Sequence, residues 1–130
     1  MRQVIQDGKF DSILNTHYSQ AVRVKNTVYV AGQLPVDDEF KIVARGDVVA
    51  QARKVFDNMK QVLVEAGATL QDVVQVEIYV MDVNVVSLIG PVRREYFGSN
   101  RPAATLVQVS ALVHPEALIE VSAIAVIDRD

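Results

Sequence analysis

Residues 46–67, GDVVAQARKVFDNMKQVLVEAG, and residues 73–81, VVQVEIYVM, decide the fold class. In the first stretch the apolar side chains stand at Val48, Ala52, Val55, Phe56, Met59, Val62, Leu63 and Ala66. Steps of three and four stack them along one side of a helix, which turns once every 3.6 residues. Asp47 can accept hydrogen bonds from the free N–H groups of the first turn. Gly67 is the residue type that takes the left-handed conformation past a helix end. Arg53, Lys54, Asp57, Lys60 and Gln61 fall on the opposite side, which should be wet. The second stretch switches to a period of two. Val74, Val76, Ile78 and Val80 alternate with Gln75, Glu77 and Tyr79, which predicts a strand with one face on the core. The Phe56 and Met59 stripe reads as core, not as a cofactor-binding box.

Working outward, Arg2 to Ile5 reads as a short edge strand and Asp7 to Asn15 as an irregular loop. Ala21 to Val24 and Thr27 to Gln33 are β-rich runs joined by a tight Lys25–Asn26 turn. Pro35, Asp37 and Asp38 mark a loop, and the acidic run Asp37, Asp38, Glu39 reads as a solvated turn. Downstream, Val85 to Phe97 reads as a second helix with Gly90–Pro91 inside it. Proline lacks the backbone donor and clashes with the preceding turn, so a kink or a start near Pro91 is expected. Ala104 to Leu112 and Leu118 to Ile127 are the last strands, joined around His114–Pro115. The order implies an α+β domain: one mixed sheet with both helices on one face. The other face is expected to carry Leu106 and Ile124 beside polar residues. A partly apolar open face calls for cover from a partner subunit.

The 130 residues make one domain, 1–130, half of them hydrophobic and enough for a single core. Without cysteine, disulfides, thiolate metal sites and cysteine nucleophiles are excluded. No apolar run approaches the ~18 residues that span a bilayer, and the N-terminus lacks a signal-peptide core. A cytoplasmic protein with no membrane contact is the expectation. Net charge is −3 and the basic residues are dispersed, the densest pair being Arg93–Arg94. Nucleic-acid binders show a basic stripe, so no nucleic-acid partner is expected. His17 and His114 stand far apart in sequence with no acidic cluster beside them, so no metal site is expected. G-x-G-x-x-G, P-loop and G-x-S-x-G motifs are absent.

A set of short segments, in order, carries a family pattern. Tyr18-Ser19-Gln20-Ala21 precedes Tyr29-Val30-Ala31-Gly32-Gln33-Leu34-Pro35. Gln51-Ala52-Arg53, Asn58-Met59-Lys60, Ala66-Gly67-Ala68 and Asp72-Val73-Val74 come next. Arg101-Pro102-Ala103 leads into Thr105, Val107 and Val109, and Ile119-Glu120-Val121-Ser122-Ala123-Ile124-Ala125-Val126 closes the run. From Tyr18 to Ile127 the chain resembles the RidA/YjgF family, also called the L-PSP endoribonuclease family. The resemblance implies a chorismate-mutase-like fold and a homotrimer packed around a central β-barrel, with small-molecule clefts between subunits. It implies hydrolysis of reactive enamines and imines to 2-oxo acids and ammonia, with no cofactor.

The resemblance also points to departures. The arginine that comes after Pro-Ala and forks onto a substrate carboxylate is here Ala104. A glutamate of the final strand that positions water corresponds to Ser122, a serine before Gly-Gln to Ala31, and an asparagine of the second helix to Gly90. Tyr18 is retained. Losing a charge-assisted carboxylate contact costs roughly 1.5–3 kcal/mol, and losing a general base about 10²-fold in rate. Weak or absent deamination of 2-aminoacrylate is therefore expected, with Tyr18, Arg101 and Glu120 as the candidate catalytic residues. Tyr18, Ala31, Gly32, Ala104, Leu106 and Ser122 are expected to line the cleft, which would take a small carboxylate or an apolar metabolite. A non-catalytic trimer that binds a metabolite or a protein is the alternative. Ribonuclease or translation-inhibitor activity fits the acidic charge poorly.

Overall fold

The computed structural model describes residues 2–5 and 18–129, so the Asp7–Asn15 loop and His17 lie outside the described residues. Strands β1 (Arg2–Ile5), β2 (Ala21–Val24) and β3 (Thr27–Gln33) come first, then helix α1 (Val48–Glu65). Strand β4 (Val73–Val80), helix α2 (Val86–Phe97) and strands β5 (Ala103–Gln108) and β6 (Ile119–Val126) complete the order. They form one six-stranded sheet in the order β1-β2-β3-β6-β4-β5. All neighbours are antiparallel except β4 and β5, which are parallel and joined through α2. A parallel pair needs such a crossover, because a hairpin cannot reverse the chain twice.

The ends of α1 reflect their residues. Asp47 Oδ1 accepts the Ala50 N–H at 3.1 Å. Past the helix, Gly67 takes φ +85°, and the Ala68 N–H turns back onto the Leu63 carbonyl at 2.8 Å. Val55, Phe56, Met59 and Leu63 are buried from α1, and Ile89, Val92 and Phe97 from α2. They share one core with Val76, Ile78 and Val80 of β4 and Ile119, Val121 and Ala123 of β6. Phe56 meets Phe97 edge to face at 5.4 Å between ring centroids. Both helices therefore cover the same face of the sheet.

Four expectations change. Val74 is exposed, not on the core face of β4. The register against β6 steps from Val73–Ala125 to Gln75–Ile124, so Val74 is the extra residue of a β-bulge and Val73 takes the buried position. Helix α2 begins at Val86, led in by a 3-10 turn at Val83–Val85, and runs through Pro91 instead of starting there. Strand β5 ends at Gln108, short of Leu112, which packs in a small second cluster with Leu34, Val36 and Ala117. Leu106 does not lie on the open face with Ile124. Its parallel partner is the buried Ile78, so it faces the helices and packs on the core. The open face of β5 is instead Ala103, Thr105 and Val107, in line with Gln75, Glu77 and Tyr79.

Candidate functional site

Two groups of candidate side chains emerge, one on each face of the sheet. The first is centred on Glu120 of β6, which pairs with Tyr79 on one side. On its other side β3 carries a bulge: the register against β6 steps from Val30–Ala123 to Gln33–Val121. The extra residue brings Gly32 under the Glu120 side chain. A Cβ added at Gly32 would lie 2.4 Å from Glu120 Oε2, so a larger residue here would make the carboxylate shift. The bulge also turns the Ala31 N–H toward the Gln20 carbonyl, at 2.9 Å. Tyr18 stands nearby. With Gly32, Gln20 and Asn58 it walls a small cavity of about 20 Å³.

This seat sets the electrostatics. Burial pushes the Glu120 carboxyl above its ordinary pKa. Burial also raises the Tyr18 phenol, with the Glu120 charge adding to the effect. One residue along the same face, Tyr79 Oη donates to Glu77 Oε2 at 2.5 Å, which raises the Tyr79 phenol. Ser122 stands opposite Glu77. It belongs to this row and lines a shallow hollow of about 150 Å³ with Tyr29, Gln75, Glu77 and Ile124.

The second group lies on the helix-covered side, where α2 meets the segment leading into β5. A cavity of about 290 Å³ opens there, walled by Gly90, Arg93, Arg94 and Arg101 over an apolar floor of Val76 and Phe97. Ala104 pairs with Val76 and so faces this side of the sheet. Within the single chain the residues expected in one cleft are therefore separated. Tyr18, Gly32 and Glu120 come together, and Ser122 lies one pair further along the same face. Ala104, Leu106 and Arg101 belong to the other side. His114 Nδ1 accepts the Glu116 N–H at 3.2 Å, within its own turn. Among the described residues no group of three His, Cys, Asp or Glu could hold a metal, and no helix is long and apolar enough to cross a membrane.

Arg93 and Arg94 are not among the sequence candidates; in sequence they stand out only as the densest basic pair. The signal available is spacing: Gly90, Arg93 and Arg94 stand at i, i+3 and i+4, which places a gap and two cations on neighbouring parts of one helix surface.

Comparison with known proteins places this small α+β domain in a family. Residues 11–127 match the family model described as Endoribonuclease L-PSP. A RutC family protein of Pyrococcus abyssi is 45% identical over 108 residues, covering 83% of this chain and 84% of its own. The 3-aminoacrylate deaminase RutC of Acinetobacter baylyi is 42% identical over 108 residues, covering 83% and 85%. The crystal structure of RidA from an Antarctic Psychrobacter superposes with a TM-score of 0.86 at 36% identity, covering 96% of this chain and 99% of that one. The chain belongs to the L-PSP endoribonuclease family, the RidA/YjgF family.

Proposed function

We propose that this chain hydrolyses small enamine or imine acids in clefts between the subunits of a homotrimer, with 2-aminoacrylate a poor substrate. The observation that carries the reading is the half-buried Glu120 carboxylate seated on Gly32 beside Tyr18. In imine hydrolysis water adds to the C=N carbon, the nitrogen takes up a proton, and ammonia leaves a 2-oxo acid. A carboxyl whose pKa is raised can take a proton from the attacking water and return it to the departing nitrogen. Deaminase names among the relatives support this chemistry.

The trimer is supported by the division of the site. Glu120 and the arginine-lined cavity lie on opposite faces of one sheet, so a substrate that reaches both needs two subunits. The open face also carries Val24, Tyr29, Val107 and Val126, all exposed in a single chain. Ala104 supports the poor handling of 2-aminoacrylate, since no guanidinium stands at that position to fork onto the carboxylate.

The test is a coupled assay in which 2-aminoacrylate is generated in place and the released 2-oxo acid is read. Wild type should turn over weakly. Ala104→Arg should raise turnover roughly 10–100-fold, the value of one charge-assisted contact. Glu120→Gln should lower it about 10²-fold. Robust wild-type turnover would refute the substrate assignment. A Glu120→Gln variant as active as its parent would refute the role of the carboxyl, whereas wild-type turnover no faster than buffer alone would favour the alternative, a non-catalytic binding trimer. That alternative rests on the same Ala104.

A further inference from the structure

The cavity between α2 and β5 has features that a substrate with one carboxylate leaves unused. Arg93, Arg94 and Arg101 all line it, and none of their guanidinium groups has a hydrogen-bond or ion-pair partner among the described residues. The acid next in sequence does not neutralise them: Glu95 is engaged by Arg53 of α1 at 3.2 Å. Three arginines lining one hollow with no acid paired to them give it a positive potential, which favours an anion there.

The wall that carries Arg101 is fixed. Asn100 Nδ2 donates to the carbonyls of Leu70 at 3.1 Å and Val73 at 3.0 Å. Gln71 Nε2 donates to the Phe97 carbonyl at 2.9 Å. Gly90 opens the space, because a Cβ built there meets no atom within 4 Å. The floor between the cations is apolar, from Val76 and Phe97.

We infer that this cavity binds a small dicarboxylate. Guanidinium forks pair with planar carboxylates two bonds at a time. The cations come from two elements, α2 and the segment before β5, and the apolar floor between them suits the short carbon chain that joins two acid groups. A phosphate would satisfy the charge but offers nothing to the floor. At about 290 Å³ the cavity stands at the small end of ligand sites, which fits a four- or five-carbon acid. The substrate class of the proposed hydrolysis is then the enamine or imine of a dicarboxylic acid, a step that rests on the proposed deaminase reading. Binding itself is measured without turnover, so the two can fail separately.

The experiment is calorimetric titration of the full chain with succinate, with butyrate, which has the same chain length and one carboxylate, and with inorganic phosphate. Succinate should bind roughly 10–100-fold more tightly than butyrate, the value of one further charge-assisted pair, and should weaken as salt rises. The double variant Arg93→Ala/Arg94→Ala should lose that preference. Gly90→Leu should abolish succinate binding by filling the space while keeping the circular-dichroism spectrum of the wild type. Equal affinity for succinate and butyrate would overturn the inference. So would phosphate binding more tightly than succinate, or an unchanged preference in the arginine double variant.

Discussion

Gly32 and Gly90 are both glycines inside regular structure, and each borders one of the two functional groups, yet their surroundings are opposite. Beside Gly32 a single added carbon would meet the Glu120 carboxylate at 2.4 Å. Beside Gly90 it would meet nothing within 4 Å. The first glycine permits a close approach on which a carboxyl is seated. The second leaves room that no side chain among the described residues fills. The open-face group is thus already packed around its acid, whereas the arginine cavity stands open among the described residues.

The largest expected effect breaks the first half of this contrast. Gly32→Val should push the Glu120 side chain off its seat. The clash is with the far end of a flexible side chain, which can give, so any hydrolysis that uses the carboxyl should fall more than the stability read by urea unfolding. Stability and turnover both unchanged would mean that the close approach has no consequence. A smaller effect of opposite sign tests the second half. Gly90→Ala should stabilise the chain by about 0.5–1 kcal/mol, because alanine costs a helix less backbone entropy and the added carbon finds space. A loss of stability would show that Gly90 is as constrained as Gly32.

The smallest effect concerns pH. Burial raises the Glu120 pKa in the folded state above its unfolded value. Over that window the native state binds more protons than the unfolded state, so this group lowers stability as pH rises. The melting temperature of Glu120→Gln should therefore match wild type in acid and exceed it once pH passes the raised carboxyl pKa. A difference independent of pH would place the carboxyl in solvent.

Much of the fold is legible in the residues themselves. Asp47 and Gly67 bracket α1 because capping is local chemistry, and the edge strand, the hairpin and both helices can be read from period and turn residues. What period alone does not reveal is where a strand slips. Val74 reads as core by alternation, but the bulge that moves it out is set by the register of β6, a partner far away in sequence. Leu106 reads as open-face for the same reason, since its side depends on its parallel alignment with Ile78. The site is less legible than the fold. Glu120 and Gly32 stand far apart in sequence and meet only because β3 bulges. Arg101 acquires its companions only when α2 folds back over the start of β5.

The bulge at Val74 has a consequence for insertions and deletions. Two residues, Val74 and Gln75, separate the buried Val73 from the buried Val76, where a regular strand would have one. Removing Val74 would restore plain alternation and leave Val73, Val76, Ile78 and Val80 pointing inward. Removing a residue beyond Gln75 would rotate everything beyond the gap by half a turn and send either the Val80 end or the Val73 end to the wrong side. Strand β4 thus has one residue to spare at the bulge, where alternation alone would mark Val74 as indispensable.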